Sequence, residues 1–209
     1  MFDPAPLLTG FALSAGLIIA IGSQNAFVLR QGLRREHVGP VVAFCALADL
    51  VLMAAGVAGL GAVIRGLPGL VTLLALGGAA FLGWYGLAAL RRAARPDRLL
   101  AQGTGGAVSL GAALAQVAAF TLLNPHVYLD TVLLVGSVGA AQPDGAQVPF
   151  VAGAGLASAT WFAALGFGAR LLAPWFARPA AWRLLDLLIG VTMLVLAAGL
   201  LGYAAGEGA

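Results

Sequence analysis

The sequence is poor in the residues that carry most soluble chemistry. Of its 209 residues only 9% are charged, two are histidines, and one, Cys45, is a cysteine. A single cysteine excludes an intrachain disulfide, a CxxC redox motif and a cysteine zinc site. Soluble globular chains carry charge on about a quarter of their residues, so this composition belongs to the membrane class.

The motifs of common enzymes are missing as well. The sequence has no Ser-His-Asp spacing, paired acid-base site, phosphate-binding loop or metal-ligand cluster, and two histidines argue against a metalloenzyme. The formal net charge of +3 could indicate nucleic acid, but the arginines lie at the ends of apolar stretches and therefore report membrane orientation. We expect no enzyme activity, no metal, no cofactor and no nucleic-acid partner.

Apolar length is what the sequence has in abundance. Hydrophobic residues make up 61% of the chain, and the mean hydropathy is +0.99. A helix needs about 20 apolar residues to cross the hydrocarbon core of a membrane. Windows of this length predict six spans, at 6–29, 40–64, 67–90, 111–139, 148–173 and 183–204. We expect one transmembrane domain, with no cleavable signal peptide and no soluble domain.

The arginines indicate how these spans are oriented. Arg65 alone follows an even-numbered span, whereas all other arginines follow spans 1, 3 and 5. The latter are Arg30, Arg34, Arg35, Arg91, Arg92, Arg95, Arg98, Arg170, Arg178 and Arg183. The positive-inside rule places the loops after these three spans in the cytoplasm and both termini outside.

The longest polar break, residues 91–110, divides the chain into two similar halves. Repeat one is 6–90 and repeat two is 111–204, each with three predicted spans and hence with opposite topology. The polar residues 23–25 in the first span of one half correspond roughly to 124–126 in the other. Inverted repeats with matching helix interruptions are typical of secondary transporters. The predicted fold is an all-α polytopic membrane protein with six transmembrane helices as two inverted three-helix repeats, joined by a cytoplasmic linker.

Two aspartates lie inside the apolar stretches. Asp49 is about ten residues into span 2, which at about 1.5 Å per residue is near the membrane midplane, and Asp130 lies in span 4. A buried carboxylate costs roughly 2.5 kcal/mol or more at that depth and marks a functional site. No predicted span interior contains an arginine or lysine to pair with them. We predict that both acids line one water-accessible cavity between the halves, bind substrate and couple protons.

Helix interruptions supply the second part of the predicted site. Asn124-Pro125 removes a backbone donor, and a half-helix starting there would direct free N–H groups at an anion such as a substrate carboxylate. Gln24 and Asn25 place amides in span 1, where they either bond across helices or line the cavity. His126 and Tyr128 flank the second break, either as satisfied polar core residues or as a proton relay, and both are included in the predicted substrate-binding set.

Three segments make the chain resemble a known family. GLIIAIGSQNAFVLRQGLRREHV (16–38), CALADLVLMAAGVAG (45–59) and TLLNPHVYLDTVLLVGSVG (121–139) resemble the bacterial lysine/arginine exporter (LysE-type) family. LNPHVYLDT is similar to its arginine-exporting branch, and the resemblance covers about 7–204. It implies a multi-pass exporter of basic amino acids in the bacterial inner (cytoplasmic) membrane, driven by the proton-motive force.

The family pattern also bears on individual residues. Asp49 and Asp130 match the two intramembrane aspartates of the family, and Asn124-Pro125 matches its second break. Ser23 is a departure, because the family motif usually has proline before Gln-Asn. This departure puts a sharp break in span 1 in doubt.

The resemblance implies the substrate class, and the two acids agree with it because they favour a cationic cargo over a neutral one. The expected partners are a basic amino acid (L-arginine, L-lysine or both), protons and membrane lipids, with a homo-oligomer left open. The alternative on the same fold is an exporter of neutral amino acids or of a divalent cation. An intramembrane enzyme and a structural membrane subunit are rivals of other classes, but the sequence has no catalytic partner motif, and a subunit needs no unpaired acids.

The charge distribution makes a prediction about sidedness. Cysteines introduced at Arg95 and Asp144 should lie on opposite sides of the membrane, with position 95 in the cytoplasm. A membrane-impermeant thiol reagent added from the periplasm should label only position 144. Labelling of both positions from the periplasm would refute the orientation.

Overall fold

The chain folds into helices throughout the part that the structure describes. The structure is a computed structural model describing residues 3–19, 22–94, 108–172 and 174–206. Its α-helices are α1 (Ala5–Ile18), α2 (Ser23–Arg34), α3 (Val38–Ala55), α4 (Gly61–Arg65), α5 (Pro68–Ala93), α6 (Leu110–Leu122), α7 (Pro125–Val127), α8 (Gly136–Ala140), α9 (Gln147–Gly168) and α10 (Pro179–Gly206). The π-helical stretches Gly56–Leu60 and Tyr128–Val135 join α3 to α4 and α7 to α8, and the 3-10 turns Ala169–Leu172 and Trp175–Ala177 precede α10.

Within these described ranges, four helical runs are long and apolar enough to cross a membrane. They are Val38–Leu60, Val71–Ala93, Gln147–Leu172 and Pro179–Gly206, which correspond to predicted spans 2, 3, 5 and 6. The bent pair α1 and α2 is a fifth if it forms one span. Predicted span 4 is two shorter apolar stretches, Leu110–Leu122 and Tyr128–Ala140. The protein is therefore an all-helical polytopic membrane protein, and six crossings in two inverted repeats stay a prediction.

Span 1 is broken, although it lacks the proline of the family motif. The helices α1 and α2 differ in direction by 83°, so the interruption suggested around residues 23–25 is present, and the doubt raised by Ser23 is removed. Gly22 precedes α2 with extended backbone, at φ −102° and ψ 177°. The Nδ2 group of Asn25 donates a hydrogen bond of 2.8 Å to the carbonyl oxygen of Ile18 at the end of α1. Asn25 thus satisfies a carbonyl that lost its helical partner.

The predicted interruption at Asn124-Pro125 is confirmed. Helix α6 ends at Leu122, and α7 begins at Pro125. The Oδ1 atom of Asn124 accepts a 3.1 Å hydrogen bond from the backbone N–H of His126. The hydroxyl of Tyr128 donates a 2.9 Å hydrogen bond to the carbonyl oxygen of Leu122. At both breaks a side chain from the later helix satisfies a carbonyl of the earlier one, as a lipid environment requires.

Glycines let the helices touch backbone to backbone. A Cβ atom on Gly153 of α9 would lie 1.9 Å from the carbonyl oxygen of Leu7 in α1. A Cβ on Gly136 of α8 would lie 2.7 Å from the Cα of Gly56. In a membrane, where little hydrophobic force drives helices together, such close contacts supply much of the packing energy. They hold α1 against α9, and α8 against the end of α3.

A cluster of aromatic rings packs α2, α5 and α6 against one another. The ring centroid of Phe120 in α6 lies 5.5, 4.9 and 4.8 Å from those of Phe27, Phe81 and Tyr85, respectively. The guanidinium carbon of Arg92 lies 5.6 Å from the centroid of the Tyr85 ring and belongs to a buried ion cluster, in which Asp186 of α10 is 1% exposed at its side chain. Tilted and edge-on ring pairs of this kind each add about 0.5–1.5 kcal/mol beyond their buried area.

The ion cluster corrects two expectations from the sequence. The span boundaries predict Arg30 in a loop, but it lies within α2, is buried, and reaches Asp186 Oδ1 at 2.7 Å. They also predict Arg92 in a loop, but it lies within α5 and contacts the same oxygen at 3.2 Å. The helices therefore do contain paired arginines, and the acid that pairs with them is Asp186 rather than Asp49 or Asp130.

The predicted linker lies only partly within the described residues. Helix α5 continues to Ala93, so the first residues of the stretch 91–110 are helical. Helix α6 begins at Leu110, and its N-cap Ser109 accepts a hydrogen bond from the backbone of Ala112. Residues 95–107 lie outside the described residues.

The close contact between α1 and α9 can be tested at Gly153. Replacing Gly153 with alanine should lower the stability of the protein by about 1–3 kcal/mol, because the new methyl group forces the two backbones apart. Gly168, on the same helix, has open space around the position that a Cβ would take, with nothing within 4 Å, and provides the matched control. Thermal unfolding of the purified protein measures both variants. A Gly153→Ala variant as stable as Gly168→Ala would contradict the packing argument.

Candidate functional site

A cavity of about 250 Å³ lies where the two broken helices meet the long spans. Its wall comes from the break between α1 and α2, from α3, from α7 and the π-helical stretch after it, and from α9 and α10. Nine of its described lining residues have polar side chains: Ser14, Ser23, Gln24, Asn25, Asp49, Asn124, His126, Asp130 and Thr131. The volume is slightly below the roughly 300–1,000 Å³ of drug-sized ligand pockets, and so suits a small molecule.

Asp49 is the most enclosed acid of this cavity. It lies on α3, is 3% exposed, and accepts a 2.8 Å hydrogen bond from the hydroxyl of Ser158 on α9. No salt bridge of the described residues involves Asp49. One hydrogen bond compensates only part of the desolvation of a carboxylate. Asp49 is therefore arranged to hold either a proton or a cationic ligand.

Asp130 faces the same cavity from the opposite half of the chain. It lies in the π-helical stretch Tyr128–Val135 and is exposed to the cavity opening. A π-helical insertion shifts the register of the side chains that follow it and is frequent at functional sites. Asp49 and Asp130 thus line one space, although 81 positions separate them in the sequence.

The start of α2 presents polar groups to the cavity. Gly22 caps this helix without a side chain, so the first N–H groups of α2 have no side-chain acceptor at the cap. The Oγ atom of Ser23 and the Nε2 atom of Gln24 are buried without a hydrogen-bond partner among the described residues. Free donors at a helix N-terminus form a favourable place for an anion.

Asn25 has a structural role in the same helix turn. Besides donating to Ile18, it accepts a 3.2 Å hydrogen bond at Oδ1 from Nε1 of Trp161 on α9. Its amide therefore fixes the direction of α2 relative to α1 and α9. This arrangement combines the two interpretations of the sequence, since Asn25 bonds across helices and lines the cavity.

The second break contributes fewer contacts than the sequence predicted. Asn124 and His126 line the cavity, and the Oδ1 atom of Asn124 is engaged by the backbone of His126. Tyr128 is not part of the described wall and instead bonds to Leu122. Pro125 starts α7, but its ring is not among the described side chains. The cavity wall also includes four other predicted site residues, Asp49, Asp130, Gln24 and Asn25.

Sequence reasoning missed several residues that support the site. Ser158 and Trp161 bond to Asp49 and Asn25, but a lone serine or tryptophan in an apolar helix gives no signal of its own. Asp186, like Asp49, is a carboxylate in a predicted apolar span. Its position near the start of span 6 suggests a residue at the membrane interface. Its contacts are with arginines and lie outside this cavity.

The described polar side chains of the cavity wall do not form the kind of cluster that holds a metal ion. In the described part of the chain, no group of three or more His, Cys, Asp and Glu side chains could hold a metal ion. Two carboxylates and several amides instead suit a ligand that carries both a positive and a negative group.

Known proteins with similar sequences are transporters by name. A protein of Mycobacterium tuberculosis named as a candidate amino-acid transporter is 51% identical over 178 residues, covering 85% of this chain and 88% of its own. The arginine exporter protein ArgO of Yersinia enterocolitica is 42% identical over 193 residues, covering 92% and 94%. A candidate amino-acid transporter of Aeromonas salmonicida is 41% identical over the same length and coverage.

No solved structure matches the chain. The family described as LysE type translocator matches residues 15–203, which is most of the sequence. The chain therefore belongs to the LysE-type translocator family, whose members are transporters and not enzymes.

Proposed function

We propose that this protein is a secondary active exporter of basic amino acids, arginine or lysine or both, across the bacterial inner membrane. The observation that carries the proposal is that Asp49 and Asp130, from different halves of the chain, line one small cavity between two broken helices. A relative at 42% identity is named an arginine exporter, which supports the substrate class.

The cationic end of the substrate binds between the two carboxylates. Asp49 is desolvated and accepts a hydrogen bond from Ser158 without any charged partner among the described residues, so a guanidinium or ammonium group gives it the charge partner it lacks. The enclosed carboxylate of Asp49 bears a desolvation penalty, which a bound cation offsets while Asp130 adds a second carboxylate contact. A neutral amino acid would leave that penalty in place, which favours basic substrates over the neutral alternative.

The carboxylate end of the substrate binds at the start of α2. The N–H groups there, the hydroxyl of Ser23 and the Nε2 group of Gln24 supply donors without acceptors among the described residues. Charge-assisted hydrogen bonds to a carboxylate are about twice as strong as neutral ones. A substrate with an α-carboxylate and a basic side chain therefore matches both ends of the cavity, whereas a divalent cation matches only one.

Protons replace the substrate when the carrier is empty. Without a cation, the enclosed carboxylate of Asp49 has no charged partner among the described residues, and proton uptake removes the cost of its buried charge. Each transport cycle then exchanges bound substrate for protons, which couples export to the proton-motive force. Substrate and proton compete for one site, so each binds preferentially to the state that lacks the other.

In the proposed transport cycle, the cavity is open towards one side of the membrane and closed towards the other. By the positive-inside rule, α3 runs from the cytoplasm to the periplasm. Met53 follows Asp49 on this helix and lines the cavity, so this part of the cavity lies on the periplasmic side. The aromatic cluster around Phe120 and the ion cluster of Asp186 then close the cytoplasmic side. Each half contributes one broken helix and two long ones, so an inverted pair of three-span repeats can exchange these open and closed ends.

Replacement of either acid by asparagine tests the site. Asp49→Asn and Asp130→Asn should each reduce arginine efflux from loaded cells by about tenfold or more, because each removes a charge-assisted contact. Membrane insertion should persist, since a neutral amide is less costly in lipid than an acid. Asp144→Asn, in an exposed loop, is the control for loss of one acid and should export normally. Normal export by both test variants would exclude this site while leaving the family assignment intact.

The two acids should differ in their tolerance of glutamate. Asp130 is exposed to the cavity and should accept the longer side chain with partial export, whereas Asp49 is enclosed against Ser158 and should not. The efflux assay measures export of arginine by both variants. Equal loss or equal retention of export at the two positions would contradict the proposed difference in enclosure.

The same assay on the unmodified protein tests the substrate class, with arginine, lysine, a neutral amino acid and a divalent cation as separate cargoes. Export of the neutral amino acid or the metal ion in place of arginine and lysine would contradict the substrate class.

A further inference from the structure

A second cavity, of about 450 Å³, lies at the other end of the bundle between α2, α5 and α6. It shares no described wall residue with the first cavity. Three arginines line it, Arg30, Arg34 and Arg92, together with Gln31 and Gln116 and the rings of Phe27, Trp84 and Tyr85. Its chemistry is therefore the reverse of the first cavity, with cations in place of acids.

The charges around this cavity do not balance. Arg30 and Arg92 share a single oxygen of Asp186, at 2.7 and 3.2 Å, while Arg34 pairs with Glu36 at 3.0 Å. Among the described residues, three guanidinium groups therefore face two carboxylates, which leaves one positive charge in excess. The side chains of Arg30, Arg34 and Arg92 are 10%, 18% and 21% exposed, so solvent compensates that excess only in part. A bound anion would remove the imbalance.

The hydrogen-bonding groups left over also fit an anionic ligand. A guanidinium group has five N–H donors, of which Arg30 gives one and Arg92 gives two to Asp186. The Oε1 atom of Gln31, a residue that is 4% exposed, has no hydrogen-bond donor among the described residues. The cavity thus offers several N–H donors and one buried acceptor. A phosphodiester bearing a hydroxylated headgroup satisfies both kinds of group.

The surroundings of the cavity point to a lipid rather than a soluble anion. Trp84, one of its wall residues, is 62% exposed on a helix that spans the membrane. Trp84 lies near the middle of the apolar run Val71–Ala93, so this wall of the cavity faces the acyl chains of the bilayer. Leu73, Leu76 and Leu87 are exposed on the same face of α5, at helical spacing from Trp84. An apolar strip therefore runs along α5 past the cationic cavity.

We propose that this cavity binds the headgroup of an anionic phospholipid, with its phosphodiester at Arg30, Arg34 and Arg92 and an acyl chain along the exposed face of α5. The positive-inside rule places the end of the bundle that holds Arg34 and Arg92 at the cytoplasmic interface. Basic pockets between helices on that side of a membrane recognise anionic headgroups. The lipid bridges α2 and α5 beside Asp186 of α10. It therefore stabilises the contact that closes this end of the bundle.

Lipid binding to the purified full-length protein in detergent tests the proposal. Phosphatidylglycerol is titrated against phosphatidylcholine with the same acyl chains, and bound lipid is counted by native mass spectrometry. Phosphatidylglycerol should bind at one saturable site and raise the melting temperature, whereas phosphatidylcholine should do neither. Equal binding of the two lipids would overturn the proposal.

Adjacent arginines provide matched variants. Arg34→Gln and Arg92→Gln should each weaken phosphatidylglycerol binding by about tenfold, since each removes a charge-assisted contact. Arg35→Gln and Arg91→Gln remove the same charge one residue away, outside the cavity wall, and should leave the affinity within about twofold. An equal effect of the inner and outer variants would show attraction to diffuse surface charge and would overturn the site.

A substitution at Glu36 should strengthen lipid binding, whereas the arginine substitutions should weaken it. Glu36→Gln frees Arg34 from its carboxylate and should tighten phosphatidylglycerol binding, a result that misfolding would not produce. Inorganic phosphate and pyrophosphate, each at millimolar concentration, distinguish a soluble anion from a lipid. If either displaces phosphatidylglycerol and raises the melting temperature as much, the cavity serves a soluble anion and the lipid proposal is wrong.

Discussion

Satisfaction of the backbone at two helix breaks is the constraint on which the rest of this structure depends. Within a membrane a helix can stop only where other groups replace its missing hydrogen bonds. Asn25 does so for Ile18 in the first half, and Tyr128 does so for Leu122 in the second. Because these side chains come from the helix after each break, they also fix the direction in which that helix leaves. The cavity exists because both breaks are held open in this way.

Close glycine contacts then place the two breaks around one space. Gly153 lets α9 approach α1 at the backbone, and Gly56 and Gly136 do the same for α3 and α8. These contacts bring α3, with Asp49, and the π-helical stretch, with Asp130, to opposite walls of the cavity. A larger residue at these glycines would separate the helices, so the geometry of the polar site depends on residues that carry no polar chemistry.

Charge is divided between the two ends of the bundle. The cavity near the breaks holds carboxylates without arginine partners among the described residues, and the opposite end holds arginines in excess over Asp186 and Glu36. Buried groups of one sign need a partner from outside the protein. A cationic substrate suits the first end and an anionic lipid the second. The aromatic cluster around Phe120 lies between α2, α5 and α6.

The sequence by itself determined the membrane class, four of the long spans and the break at Asn124-Pro125, and it selected Asp49 and Asp130 as candidate site residues. Apolar length, proline and intramembrane charge can be recognised locally along the chain. The sequence did not determine the sharp bend before Ser23, where glycine and Asn25 replace the expected proline. Nor did it reveal that Ser158 bonds Asp49 or that Asp186 pairs with Arg30 and Arg92. Those contacts join residues more than 90 positions apart, so only the packing of helices from both halves could decide them.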